Sequence, residues 1–342
     1  MNAFARLFSA LALAASAAAA PVNAPLAAPP VASSSSQAEA ALQAGQSRLQ
    51  QGDAAGAEKA WRDGLAQGED SGLLYALGGL LFQASRLRDA ELCFQRLAQR
   101  SPDLADGWYQ LGLVRAARGR YKDAVDAQRL AVGHAPQFGQ AYCALALDLR
   151  ETGQQAEALQ AVQKAVILLP RYAGAVNLRA NIEQDLGDFN AAAADYAQAL
   201  RLEPRYAGAW FNRAQLQEKR QQKDEALKSY GYALQVKPEF AEAWLARAEL
   251  QLDRRALDGA EADFKAVTRL SGWEPEGWWG LARVAKARRD KAEAAECTVR
   301  YKSALHRRDR HLVSDRENGY EQAAAYEPGL PLALSQAPVL TP

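Results

Sequence analysis

The amino-acid sequence predicts an all-α protein built from about eight tandem helix-turn-helix repeats of 34 residues. Two columns of residues and the composition support this prediction. Five prolines follow one another at steps of 34 residues: Pro102, Pro136, Pro170, Pro204 and Pro238. A column of large residues keeps the same step and holds four of the seven tryptophans: Trp108, Tyr142, Val176, Trp210, Trp244 and Trp278. Abundant Ala, Leu, Gln, Glu and Arg with few β-branched residues favours helices, and a fixed period of this size indicates a repeat architecture.

Two columns of small residues share the period. The first is Gly78, Gly112, Ala146, Ala180, Ala214, Ala248 and Ala282, and the second is Ala90, Ala124, Ala158, Ala192, Ala226, Ala260 and Ala294. Small side chains let paired helices approach to the short end of the usual interaxial range of about 8–10 Å. The first helix of a repeat should end at a Gly-containing turn such as Arg118-Gly119-Arg120, and the second should end before the proline. One repeat cannot bury its own apolar face, so the repeats should stack.

This 34-residue pattern resembles the tetratricopeptide repeat. Residues 105–138 match it through Trp108, Leu111, Gly112, Tyr121, Ala124, Ala131 and Pro136, and residues 173–206 through Gly187, Phe189, Ala192, Tyr196, Ala199 and Pro204. In this register the repeats start at Ser71, Ala105, Gly139, Ala173, Ala207, Ala241 and Pro275, after a degenerate first repeat near Ala38. The resemblance covers residues 38–308 and implies a right-handed superhelical solenoid that binds other proteins.

Two positions of the repeat carry specific packing predictions. The bulky residue at position 4, where the tryptophans stand, should pack against neighbouring repeats and form a continuous core. Position 7 holds Arg179, Arg213 and Arg247, and an acid follows two of them by sixteen residues, at Asp195 and Asp263. We interpret these as ion pairs between paired helices, since position 7 lies on the core-facing stripe. The alternative is a basic strip directed at a ligand.

The resemblance places ligand contacts on an inner wall formed by the first helix of each repeat. The residues at matching positions define a predicted protein-binding groove: Tyr75, Tyr109, Asn177, Asn181, Phe211, Asn212, Gln215, Trp279 and Arg283. Exposed rings and amides suit a peptide, because rings supply contact area and amides satisfy main-chain groups. The alternative for each aromatic is packing against the next repeat. The carboxylate clamp of some family members is not expected, because the matching basic residues are missing.

The N-terminus predicts export. Residues 1–20 combine one positive charge at Arg6 with an uncharged apolar run from Leu7 to Ala20, which is the layout of a secretory signal peptide. The alternative is an Ala-rich disordered tail. The run is shorter than the roughly 20 residues of a membrane span, so no integral membrane segment is expected after cleavage. The cleavage position stays open, and the first cysteine, Cys93, is too late for a lipoprotein anchor. A periplasmic or secreted location is therefore expected.

The remaining segments flank the repeats. Residues 21–37 are rich in Pro, Ala and Ser, which predicts a flexible linker. Residues 309–326 could add a capping helix, which the end of a solenoid requires for solubility. Residues 327–342 have the composition of a disordered tail.

Chemical motifs are missing from the sequence. Lysine and arginine total 41 against 40 acidic residues, which lacks the basic excess typical of nucleic-acid binders. The spacing of His306 and His311 does not suit a metal pair on a helix. The three cysteines, Cys93, Cys143 and Cys297, are interpreted as buried free thiols. The sequence has no phosphate loop, nucleophile elbow or zinc motif, so neither a cofactor nor enzymatic activity is expected.

Three functions are compatible with these features. The first is a non-enzymatic scaffold or adaptor in the bacterial envelope or the secreted space, binding a protein or peptide in the groove. The second is a self-associating component of an envelope assembly or secretion machine. The third is an enzyme or a subunit of an enzyme complex. Fold alone does not choose among them.

Overall fold

The computed structural model describes residues 35–270 and 275–317, which form sixteen α-helices and no strand. They divide after Pro170 into two compact halves. The N-terminal half contains α1 (Ser36–Gln50), α2 (Ala54–Gln67), α3 (Ser71–Gln83), α4 (Leu87–Arg100), α5 (Ala105–Ala117), α6 (Tyr121–His134), α7 (Gly139–Glu151) and α8 (Gln155–Leu168). The C-terminal half contains α9 (Ala173–Asp185), α10 (Phe189–Leu202), α11 (Ala207–Lys219), α12 (Lys223–Val236), α13 (Ala241–Asp253), α14 (Leu257–Leu270), α15 (Pro275–Arg288) and α16 (Lys291–Glu317).

Consecutive helices pair as hairpins, and within each half every hairpin packs on the next one. Each half is therefore a stack of four repeats, and the predicted all-α repeat solenoid is confirmed. The first helices of repeats two to eight begin at the residues that the register predicts: Ser71, Ala105, Gly139, Ala173, Ala207, Ala241 and Pro275. In the degenerate first repeat the helix begins at Ser36, where the Ser35 hydroxyl accepts a hydrogen bond from the Ala38 amide.

The turn inside each hairpin contains one residue with a left-handed backbone. In four repeats this residue is glycine: Gly52, Gly119, Gly153 and Gly187, with φ between 72° and 86°. In the other four it is Ser85, Gln221, Arg255 or Arg289, with φ between 58° and 64°. The left-handed conformation ends a helix by satisfying its last carbonyls, and it costs a residue with a Cβ about 1–2 kcal/mol. The predicted turn is therefore present in all eight described repeats, but only four of them have glycine at the left-handed position.

The core lies between the two helices of each hairpin. The largest fully buried rings come from the second helices: Trp61, Phe94, Tyr196, Tyr230 and Phe264. Small residues on the first helices make room for them, as predicted. A Cβ added to Gly45 would lie 2.1 Å from the Trp61 ring, and one added to Gly78 would lie 2.9 Å from the Phe94 ring.

The position-4 residues pack against the core, as predicted, but most of them lie at its edge and do not form its centre. Val176 is buried, but the tryptophans of this column are only half-buried. Three of their indole N–H groups donate to a proline carbonyl six residues earlier: Trp108 to Pro102 at 2.7 Å, Trp210 to Pro204 at 3.0 Å and Trp244 to Pro238 at 2.8 Å. An indole N–H requires a polar partner when it leaves water. The connection between repeats offers a proline carbonyl as this partner. The indole ring therefore lies next to that connection, and the hydrogen bond links the tryptophan of each repeat to the proline before it.

The two ends differ from the predicted boundaries. Residues 1–34, with the predicted signal peptide and most of the linker, lie outside the described residues, but Ser36 and Gln37 of the predicted linker belong to α1. At the other end, His306 stands where five earlier repeats have proline, and α16 continues to Glu317. Residues 309–317 therefore extend α16, whereas residues 318–342 lie outside the described residues. No helix within 35–270 and 275–317 is both long enough and apolar enough to cross a membrane.

Candidate protein-binding surface

The structure buries most of the predicted groove. Six of the nine residues are between 2% and 7% exposed: Tyr75, Tyr109, Asn177, Asn181, Phe211 and Asn212. Gln215 and Arg283 are half-buried, and Trp279 is 41% exposed. The exposure expected of the first six side chains is therefore wrong. Their surroundings explain why.

In the N-terminal half the two tyrosines each pack against another aromatic ring. The Tyr75 ring meets Phe94 edge-on with centroids 6.2 Å apart, and its hydroxyl accepts a hydrogen bond from Gln110 Nε2 at 3.4 Å. Burial raises the pKa of Tyr75 to about 12. The Tyr109 ring packs 4.9 Å from Phe138, in the connection to the next repeat. The Tyr75 ring thus packs inside its own repeat while its hydroxyl bonds to the next one, and the Tyr109 ring packs on the connection to the next repeat.

In the C-terminal half Phe211 is enclosed by other rings, and the amides pair with one another. The Phe211 centroid lies 5.7 Å from Tyr230 and 5.0 Å from Phe240. Asn212 Nδ2 donates to Asn177 Oδ1 at 3.2 Å across two successive repeats. These amides are buried, and buried polar groups are normally hydrogen-bonded. A peptide could reach the Asn212 amide only by breaking a bond that already exists.

Two more bonds complete this network. Asn177 Nδ2 donates to the Tyr206 hydroxyl at 3.4 Å, and the Tyr196 hydroxyl donates to Asn181 Oδ1 at 2.6 Å. Asn177 and Asn181 are thereby each linked to a tyrosine, and Asn212 is linked to Asn177. The network stabilises the wall from within.

An open surface remains at the last two repeats, and we call it the aromatic–cation surface. It consists of Leu245 and Glu249 on α13, Trp279, Arg283 and Lys286 on α15, and Tyr301 on α16. The Trp279 and Tyr301 rings lie 5.3 Å apart, and the Lys286 ammonium lies 5.5 Å from the Trp279 centroid. A cation over an indole face is attracted by the ring quadrupole.

An ion pair aligns the two first helices of this surface. Arg283 donates to both carboxylate oxygens of Glu249 at 2.5 and 2.6 Å. Leu245 precedes Glu249 by four residues, and Trp279 precedes Arg283 by four, so each lies one helical turn away on the same face. Leu245 is half-buried and packs against the core of these repeats, whereas the Trp279 indole is exposed.

The sequence could have found part of this surface. Leu245 and Glu249 occupy the fifth and ninth positions of their repeat, the same positions as Trp279 and Arg283 in the next one. The repeat register was therefore sufficient to place Leu245 and Glu249 on this surface. Tyr301 belongs to a second helix, and only the packing of α15 on α16 brings it to Trp279.

The ion pairs predicted at position 7 are confirmed. Arg179 donates to both oxygens of Asp195 at 2.5 and 2.8 Å, and Arg247 to both oxygens of Asp263 at 2.7 and 2.8 Å. Arg213 lacks an acid at the matching position, and its guanidinium lies 5.4 Å from the ring of the tryptophan three residues earlier. These contacts join helices within a repeat and do not form a basic strip for a ligand.

A second set of ion pairs joins one repeat to the next at the hairpin turns. Glu91 of α4, which is buried, contacts three arginines of the following repeat: Arg115, Arg118 and Arg120. Glu58 of α2 binds Arg86 of the next repeat in the same manner, at 2.8 Å. The sequence pattern does not reveal these pairs, because they connect positions of different repeats.

The three thiols are buried and not joined in a disulfide. Burial raises the pKa of Cys93 to about 11 and that of Cys143 to about 12, and it also raises the pKa of Cys297. They are therefore neutral at physiological pH, and the prediction of buried free thiols is confirmed. Within residues 35–270 and 275–317, no three His, Cys, Asp or Glu side chains come together in a way that could hold a metal ion.

Comparison with known proteins places these features in a family. A family model described as tetratricopeptide repeat matches residues 42–105, 75–141, 177–234 and 218–275, together more than half of the chain. No curated protein matches the chain. Among solved structures, PilF of Pseudomonas aeruginosa is similar over 59% of this chain and 92% of its own, with a TM-score of 0.52 and 20% identity.

Two further structures share the fold. A tetratricopeptide repeat protein from Parabacteroides merdae is similar over 68% of this chain and 91% of its own, with a TM-score of 0.54 and 19% identity. The Cut9–Hcn1 hetero-tetramer of the APC/C is similar over 63% of this chain and 42% of the matched chain, with a TM-score of 0.55 and 18% identity. At these identities the likeness concerns the fold alone.

Proposed function

Because this chain belongs to the tetratricopeptide repeat family, we propose that it is a non-enzymatic scaffold that binds a segment of another protein on the aromatic–cation surface. The observation that carries the proposal is the exposure of Trp279 beside Tyr301, Lys286 and the Arg283–Glu249 pair. Tryptophan, tyrosine and arginine are the residues on which binding energy usually concentrates. Of the predicted groove, this surface retains the side chains that a partner can reach without breaking buried hydrogen bonds.

The surface favours a partner segment with an apolar side chain followed by an acidic one. An apolar group would fit between Leu245 and the Trp279 indole. An acid would pair with the exposed ammonium of Lys286, since Arg283 is already paired with Glu249. Within each half, the buried groove residues pack inside the stack of repeats. Gln215 lies half-buried on α11, in the same half as the aromatic–cation surface.

The experiment is partner capture by crosslinking from the native cell, followed by affinity measurement with the captured protein. Trp279→Ala is expected to weaken binding by about 2 kcal/mol or more, roughly 30-fold, while the melting temperature barely changes. Tyr232→Ala is the matched control, because Tyr232 is a 47% exposed aromatic on α12, away from this surface. Unchanged capture by a folded Trp279→Ala protein would remove the surface from consideration. If light scattering shows that the captured partner is a second copy, the chain is a self-associating component instead.

The proposal includes export to the periplasm or the secreted space, which rests on the signal-like pattern of residues 1–20. The mature protein is then expected to begin between about Ala18 and Ala28 and to lack the apolar run that follows Arg6. N-terminal sequencing of protein from the native cell tests this. An intact Met1 would contradict it.

A further inference from the structure

The last repeat has an open pocket of about 600 Å³, which we call the end socket. Its floor is formed by the small residues Ala294, Ala295 and Thr298 on the first turns of α16. Its rim carries Lys286, Arg289 and Lys291, with Asp290 as the one acid among the lining residues. The end socket is therefore an apolar depression under a net positive rim.

The preceding repeat shows what normally fills this place. There Phe264 is fully buried, and α15 packs so closely on it that a Cβ added to Gly280 would lie 2.2 Å from the ring. Arg288 of α15 also binds Glu261 of that repeat. In the last repeat Thr298 stands 34 residues after Phe264, and no described helix follows α16. A smaller side chain, on a face that none of the described helices covers, forms the end socket.

We propose that residues 328–342 of this chain occupy the end socket. α16 continues for 22 residues beyond Ala295 to Glu317, a length of about 33 Å at a rise of 1.5 Å per residue. Residues 318–327 can span the same distance back in an extended form at about 3.3 Å per residue. The segment from Pro328 onward then arrives at the floor of the end socket.

The composition of this segment complements the end socket. Residues 328–342 contain the apolar side chains of Leu330, Leu332, Leu334, Val339 and Leu340, which can fill a depression lined by alanines. Their four prolines have no N–H group, so an irregular strand laid on this face leaves fewer donors without partners. Residues 318–342 carry no lysine or arginine, and their only charges are Glu321 and Glu327, opposite in sign to the rim.

Photo-crosslinking in the full mature chain tests this occupant. p-Benzoylphenylalanine is placed at Lys291 on the rim, and in a control protein at Lys228, another exposed lysine on a second helix two repeats away. Mass spectrometry should find intrachain crosslinks from position 291 to residues 328–342 and at least tenfold fewer from position 228. Replacing Leu330, Leu332 and Leu334 by serine should reduce the crosslinks from position 291 to the level of the control.

Three results would overturn the proposal. The first is equal crosslinking from the two positions, which would mean random collision. The second is crosslinking from position 291 that the three serine substitutions leave unchanged. The third is a crosslink to a second copy, with a dimer mass in light scattering, which would assign the end socket to self-association. Crosslinks from position 291 that reach only other parts of the chain would also overturn the proposal.

Discussion

Replacing Asp148 should stabilise the N-terminal half. Asp148 occupies position 10 of its repeat, and the same column is aliphatic and buried in the other described repeats from the second onward: Leu80, Val114, Ile182, Leu216, Leu250 and Val284. Asp148 is only 2% exposed, and its Oδ2 has no hydrogen-bond partner. Burial raises the pKa of this carboxyl well above its usual value, and the nearby charge of Glu151 raises it further. The folded protein therefore resists ionisation of Asp148.

The magnitude follows from two contributions. Leucine has the same branching as aspartate but a larger volume, and those other repeats hold Leu, Val or Ile in this column, so Asp148→Leu is expected to add apolar burial worth about 1.5–3 kcal/mol. It also removes an unsatisfied buried oxygen, whose cost is about 1–3 kcal/mol. Because the two contributions are not fully additive, we expect the free energy of unfolding to rise by about 2–4 kcal/mol at pH 8. At this pH the buried aspartate destabilises the folded state whether it is ionised or takes up a proton. Asp148→Asn removes the charge but keeps the polar group, so its gain should be smaller.

The gain should depend on pH with a definite sign. When folding raises the pKa of a carboxyl, ionisation of that group opposes folding. This effect is absent below the pKa of the unfolded state, about 3.9, and is largest above the pKa of the folded state. The advantage of Asp148→Leu should therefore grow from pH 4 towards the folded pKa by up to about 1.4 kcal/mol per pH unit.

Hydrogen exchange of the amides of α7 and α8 at pH 5 and pH 8 measures this gain locally, which suits a solenoid with nearest-neighbour contacts. Asp126→Leu is the control, since Asp126 is exposed on α6 and its replacement should change stability by less than about 0.5 kcal/mol. The reasoning is refuted if Asp148→Leu lowers protection at pH 8. A gain of equal size at both pH values would refute the part of the argument that rests on ionisation.

Three further predictions concern the C-terminal half. Arg247→Met should lower the free energy of unfolding by about 2–4 kcal/mol, because it leaves the buried Asp263 unpaired, and Asp263→Asn should lower it less, since Arg247 reaches solvent. Urea unfolding measures both losses, and a larger loss for Asp263→Asn would contradict this prediction. Gly187 and Gln221 both have positive φ, so Gly187→Ala should destabilise the protein by about 1 kcal/mol and Gln221→Gly should stabilise it by about 0.5–1 kcal/mol. Melting temperatures that shift in the same direction for both variants would contradict this prediction. Phe264→Ala should cost about 3–5 kcal/mol as a fully buried ring, with hydrogen-exchange protection lost mainly in α13 to α16; uniform loss along the half would contradict nearest-neighbour stacking.

The sequence alone determined the period, the register and the helix starts, because these depend on local chemistry. The proline at position 32 stops the second helix of a repeat before it, and glycine or alanine is favoured where two helices of a hairpin cross closely. The Arg179–Asp195 pair was predictable for the same reason, since both residues belong to one repeat and the hairpin brings them together.

Tertiary structure decided which polar and aromatic groups remain accessible. Asn177, Asn212 and Phe211 hold positions that could face a ligand, but they find partners in an adjacent repeat, in a connection or on the paired helix, and this packing buries them. Trp279 occupies the same position as Phe211 in its own repeat and stays 41% exposed. A sequence pattern specifies which atoms need partners. Where each atom finds its partner depends on distances between helices that are far apart in the chain, and these distances exist only once the repeats have stacked.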